Sequence, residues 1–515
     1  MTTSPACAGG REWAGLGVLV LPALLASMDL SVLFMASPWL SADLEPTGPQ
    51  LLWIMDIYGF LMAGLLLTMG SLGDRIGRRR LLLVGATAFG AASVLAAYAS
   101  TAAALVAARA LLGVGGATLA PSCLALIRNM FRDADQRRAA IGVFTAALTG
   151  GIAIGPIVGG LLLENFWWGS VFLINVPVMV LLLVVGPLLL PESTDPDPGR
   201  FDLLSALLSM AAILPVMYGV KEMAEAGRVE WLPVATVAVG IAVGVTFVRR
   251  QATLSDPLFD VGLFRNSGFT AAFGAYGLLI VGSAGMGYLV TQHVQLVLGL
   301  RPFAAALWQL PTIGGTLTGI VLATTLVRWV RPAVPAGAGL LLAAAGFAFV
   351  SSLGAASGVG VLVLGYSVLT LGTGLLAPLA IDMIVTTAPS ERAGSAAAMG
   401  ETGAELGGAA GIAVLGSIAA AVYRARVADA VPPGLPPEDV EAASGTLGGA
   451  IAVADQLPET LGGPLREAAT TAFAAGFSTT AAVAAGLMLL TAVGATARLW
   501  RVRLDAGTGQ PARVH

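Results

Sequence analysis

Charge is what this chain has least of. Only 11% of its 515 residues are charged, 27 basic and 30 acidic, where a soluble chain carries about 25%. With 57% of positions hydrophobic and a mean hydropathy of +0.85, it cannot keep its apolar surface out of water by folding into soluble domains. The bilayer must be its main solvent. The same composition excludes a disordered chain and a nucleic-acid partner. Cysteine is nearly missing: Cys7 and Cys123 can form no disulfide framework and leave no C-x-x-C metal pair. Two histidines and no H-E-x-x-H motif give no support to zinc hydrolysis. The single lysine, Lys221, follows Val220, so no G-x-x-x-x-G-K-[ST] phosphate loop exists and ATP hydrolysis within this polypeptide is unsupported. No nucleophile or metal constellation of an enzyme is found and no cofactor is expected. An ion gradient is left as the driving force.

Long apolar runs are what the chain has in quantity. A window of about 19 residues predicts fourteen spans, from Trp13–Phe34 to Thr471–Leu499. The first run is too long for the apolar core of a cleaved signal peptide. An even number of spans puts both termini on one side. Most basic residues fall on that side, in Arg75, Arg78, Arg79, Arg80, Arg128, Arg132, Arg137, Arg138, Arg249, Arg250, Arg265, Arg328, Arg331 and the Arg498–Arg503 tail, which predicts cytoplasmic N- and C-termini in a cell inner membrane. The Pro- and Asp-rich stretch Pro191–Arg200 marks a boundary after the sixth span. The stretch Arg424–Arg466 is then external. Pro432, Pro433, Pro436 and Pro437 precede apolar residues at helical spacing, Leu447, Ile451, Val453 and Leu457, which reads either as a gating hairpin or short helix on the outer membrane face or as a plain connector.

Three segments stand out. Between spans two and three runs Gly70-Ser71-Leu72-Gly73-Asp74-Arg75-Ile76-Gly77-Arg78-Arg79-Arg80, with glycines for a tight turn, Asp74 to pair with an arginine or cap a helix, and an interfacial arginine cluster. Span four carries Arg109 about 10 Å inside the membrane at about 1.5 Å per residue, too costly to keep there without a partner or water. Its partner is expected to be acidic. The nearby Gly113-Val114-Gly115-Gly116 run follows no strand and is not read as a dinucleotide loop. Span five holds Gly151-Ile152-Ala153-Ile154-Gly155-Pro156-Ile157-Val158-Gly159-Gly160, where small residues allow close contact and Pro156 loosens the backbone ladder.

Five acids fall inside spans, Asp29, Asp56, Asp382, Glu401 and Glu405, against one base, Arg109, so the interior favours cations. Asp29, about 24 Å from the inner end of span one, and Asp56, about 10 Å from the outer end of span two, lie near the depth of Arg109. Glu401 and Glu405, four apart, share a face of span thirteen near the midplane, and a proton or a lipophilic cation would relieve their repulsion. Asp382, near the inner end of span twelve, can snorkel to water, and His293, near the outer end of span nine, is expected at the membrane interface.

Together the three segments resemble the signature motifs of the major facilitator superfamily, over nearly the whole chain. Met28-Asp29-Leu30-Ser31, the Trp168–Pro177 segment and the span count resemble its fourteen-span drug:proton antiporter branch. Trp53-Ile54-Met55-Asp56-Ile57-Tyr58, Leu190-Pro191-Glu192-Ser193 and the long loop before the last span are similar to quaternary-ammonium pumps of the QacA type. The resemblance implies an all-α polytopic major facilitator fold of 14 transmembrane helices in a 6 + 2 + 6 arrangement. Residues 1–192 would form an N-terminal six-helix bundle, 193–264 two additional helices, and 265–515 a C-terminal bundle with the external loop or hairpin at 424–467. The two bundles would rock about a midplane cavity.

For function the resemblance implies proton-coupled multidrug efflux by a monomer, with protons, lipophilic cationic small molecules and membrane lipid as partners. Asp29 and Arg109 would couple the proton. Asp56, Glu401 and Glu405 would line the cation site, with Trp53 and Tyr58 as aromatic contacts within a turn of Asp56. Gly70, Asp74, Arg75, Gly77, Arg78, Gly151, Gly155, Pro156 and Gly159 would be structural or gating positions. Departures matter: span ten reads Pro311-Thr312-Ile313-Gly314-Gly315 with no carboxylate, and Gly400-Glu401 keeps one acid of a pair. Monovalent lipophilic cations thereby fit better than dicationic drugs. The alternative is a dedicated exporter of an antibiotic or other metabolite.

Overall fold

The computed structural model describes residues 8–194, 202–226, 230–254, 257–389, 392–428, 431 and 435–499. Cys7, most of the Pro191–Arg200 linker, Pro432, Pro433 and the arginines beyond Leu499 lie outside them. The described residues are helical with no strand, and fourteen helices are long and apolar enough to cross a membrane. That is the expected outcome of an apolar chain in lipid, where every backbone polar group must find its partner inside its own segment.

The helices run past the apolar windows that mark them. Span one extends over Gly10–Leu44, span two over Gly48–Ile76 and span thirteen over Ala393–Val427. The last span begins at Glu459, twelve residues before its apolar run, because Glu459, Arg466 and Glu467 lower the hydropathy without ending the helix. Polar caps set several starts. Thr101 accepts from the Ala104 amide ahead of span four, Ala102–Met130, Asp133 from the Gln136 amide ahead of span five, Ala134–Asn165, and Asn266 from the Gly268 amide ahead of span nine, Ser267–Val297.

The chain divides into two compact units. One takes in the chain up to Leu40, Trp53–Met210 and the short stretch Arg301–Phe303. Its interior is built on Leu19, Leu33, Met35, Phe60, Phe89, Phe131 and Phe172, each less than 2% exposed. The other takes in Ser41–Leu52, Ala211–Leu300 and the chain from Ala304, around Phe269, Phe347 and Phe477. In this second unit span eight, Trp231–Thr253, has only 11% of its apolar window buried, which leaves it a lipid-facing helix. It packs on span seven, Leu203–Ala226, through Gly219 and Gly240, whose missing side chains admit the Pro233 and Ala212 carbonyls.

Two further features of the second unit are the setting of His293 and the stretch before the last span. His293 is 1% exposed, starts a π-helical turn at His293–Val297, and stacks on Phe477 at 4.7 Å. The early start of the last span puts Phe473 and Phe477 well inside a helix, and these rings cover it. The stretch before that span holds two short helices, Pro437–Gly445 and Leu447–Gln456. They are tied to the end of span thirteen by the Tyr423 hydroxyl, which donates to the carbonyl of Ala443 at 2.8 Å or Thr446 at 3.3 Å.

Candidate functional site

In the first unit the chemistry converges on Arg109, two turns into the span-four helix Ala102–Met130 and fully buried. Its Nη1 donates to the Asp29 carboxylate of span one, itself 7% exposed. Its Nε donates to the Ile54 carbonyl of span two at 3.1 Å, and its Cζ lies 4.8 Å from the centroid of the Tyr58 ring. Nη2 is buried with no acceptor among the described residues. The acidic partner that a buried arginine requires is therefore Asp29. Asp56, one residue before Ile57 on the same span as Tyr58, is 1% exposed. Trp53 is half-buried, with its ring 6.4 Å from that of Phe60.

Tyr58 does not stand open to a ligand. It is 4% exposed, and its ring face is already occupied by the guanidinium. The glycine run on span four explains how span two comes so close. A Cβ at Gly113 would lie 2.7 Å from the Tyr58 carbonyl oxygen, and one at Gly116 would lie 3.0 Å from the Tyr58 hydroxyl. Arg109, Gly113 and Gly116 follow one another at helical spacing along one face. Gly115 meets Phe89 of span three on another side, so the run serves close packing between helices.

The span-five glycines pack on the span that carries Asp29. Gly151 faces Ser27 and the Leu24 carbonyl, Gly155 faces Ser31 and the Met28 carbonyl, and Gly159 faces Val32. Ser27 and Ser31 turn their hydroxyls back to Leu24 and Met28 in their own helix at 2.9 Å, so neither hydroxyl donates across the contact. Pro156 lies within that same glycine-bearing helix. The result is a smooth seam, poor in side chains, beside Asp29.

At the turn between spans two and three, Gly77 takes a φ of +107°, which an L side chain rarely adopts. Asp74 pairs with Arg78 at 2.5 Å across one turn, Arg75 is exposed, and Gly70 has open space around it. Glu192 completes the turn. It accepts from the Arg79 amide at 3.0 Å and pairs with the Arg79 and Arg80 guanidinium groups at 3.6 and 3.7 Å. A Cβ on Gly77 would run into this carboxylate. The Ser193 carbonyl accepts from the Arg78 amide at 2.9 Å, so Leu190–Ser193 acts as a clamp on the start of span three. Nothing in the sequence marks a glutamate as the cap of a helix 113 residues away.

In the second unit Glu401 is exposed and Glu405 half-buried, one turn apart on span thirteen. That helix, Ala393–Val427, is centred on Ala410, so at about 1.5 Å per residue Glu405 lies about 8 Å toward the N-terminal end and the pair is not at mid-helix. Span nine, Ser267–Val297, packs alongside: Gly403 admits the Phe273 ring and Gly407 the Gly277 carbonyl. Tyr276, between those two contacts, lies within electrostatic reach of both carboxylates. Phe273 is itself held by Phe264 at 5.3 Å and Phe269 at 5.9 Å. Asp382 is exposed on span twelve, Val359–Thr386.

The family profile described as Major Facilitator Superfamily matches residues 19–412. The chain is 44% identical over 485 residues to the multidrug efflux pump LfrA of Mycolicibacterium smegmatis, covering 94% of this chain and 95% of that one. It is 36% identical to the methyl viologen resistance protein SmvA of Salmonella typhimurium, with 94% and 97% covered. It is 30% identical to the tetracenomycin C resistance and export protein of Streptomyces glaucescens, with 94% and 91% covered. Among solved structures, a bacterial homolog to the human lysosomal transporter Spinster, inward-facing and unoccupied, aligns with a TM-score of 0.65 at 14% identity, covering 95% of this chain and 97% of that one. That likeness speaks for the fold alone.

Proposed function

Because the chain belongs to the major facilitator superfamily, whose members are membrane transporters and not enzymes, we propose that it is a proton-coupled antiporter exporting lipophilic cations, quaternary ammonium compounds and dyes among them. The observation that carries this reading is the buried Arg109–Asp29 ion pair in a chain whose other intramembrane charges, Lys221 at the end of span seven aside, are carboxylates. A proton on Asp29 cancels the charge that balances Arg109 and raises the cost of holding a cation in the same protein. Loss of that proton restores the negative interior and with it the affinity for the cation. Asp56, with Trp53 as the aromatic contact, is the proposed cation ligand of the first unit, and Glu401 and Glu405 are those of the second. Tyr58 is reassigned to Arg109. The protein works as a monomer without a cofactor, with both termini cytoplasmic in the cell inner membrane.

The naming of one relative for methyl viologen, a dication, supports a substrate range wider than the missing span-ten acid suggests. The tetracenomycin relative supports the second reading, a dedicated antibiotic exporter. Expression in a pump-deficient host separates the two. The antiporter reading predicts ethidium accumulation several-fold below the empty-vector control, rising to the control level when a protonophore is added. Unchanged ethidium accumulation favours the dedicated exporter. Methyl viologen tolerance in the same strain reports on dications.

A further inference from the structure

We propose that Tyr58 is a positioning residue that keeps Arg109 attached to span two when Asp29 loses its charge, so that neutralisation frees span one alone. This rests on the proton-coupling reading of Asp29. Arg109 grips two helices by different chemistry. Its hold on span one is a charge-assisted hydrogen bond that loses its ionic part when Asp29 is neutral and keeps only a weaker bond to a neutral oxygen. Its hold on span two consists of the Ile54 carbonyl at 3.1 Å and the Tyr58 ring face at 4.8 Å, neither of which depends on Asp29. A desolvated cation over an aromatic ring is favoured by about tenfold or more, enough to matter for an arginine that has just lost its counter-ion.

The surroundings favour such an exchange. The unmatched Nη2 gives the guanidinium a spare donor, so it can take a new acceptor without first breaking an old bond. Gly113 and Gly116 hold Tyr58 along span four for a full turn beyond Arg109, which keeps the ring in register. Span one, once released, rests on the glycine seam of span five, where the Ser27 and Ser31 hydroxyls are spent within their own helix and do not resist sliding. Within about two turns of these contacts the titratable groups are Asp29 on span one and Asp56 and Tyr58 on span two, the other charges of those helices lying toward their ends; span three meets span four here through Gly85 and Phe89 against Gly115 and Thr118. Asp56 sits between Ile54 and Tyr58 in the sequence of span two, so the helix that Arg109 keeps is the helix that carries a proposed cation ligand.

A double-mutant cycle on the purified full-length protein tests this, with Tyr58→Phe and Tyr58→Leu each made in the wild type and in Asp29→Asn. Thermal unfolding in detergent should show Tyr58→Leu lowering Tm far more in the Asp29→Asn background than in the wild type. Tyr58→Phe, which keeps the ring, should match its parent in both. In proteoliposomes the acid limb of the ethidium transport profile should move about one pH unit toward acid for Tyr58→Leu and stay in place for Tyr58→Phe. Equal Tm losses in the two backgrounds, or Tyr58→Phe behaving like Tyr58→Leu, would overturn the proposal. Should Asp29→Asn fail to fold, the transport profile of the Tyr58 variants decides. The unfolding cycle requires no transport, so it stands or falls apart from the protonophore response that tests proton coupling itself.

Discussion

A charge inside a membrane protein can be judged one residue at a time, because so few are present. Asp29→Asn leaves the Arg109 cation in the interior with only neutral partners, and breaking a buried pair on one side costs about 3–5 kcal/mol. A marked drop in Tm is expected from thermal unfolding of the purified variant. Adding Arg109→Leu removes the stranded charge and should recover much of the Tm without restoring ethidium efflux. A double variant less stable than Asp29→Asn would argue against the pairing as the source of the loss. The need of Arg109 for an acid was legible in the sequence, and helix rise brought Asp29 to the right depth. The Ile54 carbonyl and the Tyr58 ring were not legible: a backbone oxygen has no signature, and the rotation of span two about its axis is fixed by Gly113 and Gly116, whose packing partners lie far off in sequence.

At the scale of helices, glycine sets how closely neighbours approach and one carboxylate sets where a turn begins. Gly155→Val would push a branched side chain into Ser31 and the Met28 carbonyl, an overpacking expected to cost about 1–3 kcal/mol and to slow transport by parting the span that bears Asp29 from span five. Unfolding and efflux assays on Gly155→Val, with Gly150→Val as a control at an open position, check this. Glu192→Ala strips the start of span three of its cap and of two ion pairs, so a loss of about 1 kcal/mol is expected from the same unfolding assay. Apolar runs made the helices countable from the sequence. Their ends were less so, since Glu459, Arg466 and Glu467 interrupt a hydropathy window while the backbone continues as helix.

For the whole molecule the scarcity of charge is itself the design: most basic residues gather at the helix ends while the spans keep a handful of acids, Arg109 and, at the end of span seven, Lys221. The multi-pass fold follows from the long apolar runs, and major facilitator membership was legible through the motif segments around Gly70–Arg80, Arg109 and Gly151–Gly160, which resemble that family's signatures. The Glu401–Glu405 cluster was legible as a pair but not in its packing against Phe273 and Gly277, because the pairing of spans nine and thirteen is a tertiary fact. The most direct test of the account is ethidium transport in proteoliposomes containing only this protein, driven by an imposed pH gradient. The wild type should move ethidium against its own gradient, in the direction opposite to the proton flow, and Asp29→Asn should only let it equilibrate. Uphill movement by Asp29→Asn that still followed the imposed gradient in full would contradict the central role of the Arg109–Asp29 pair.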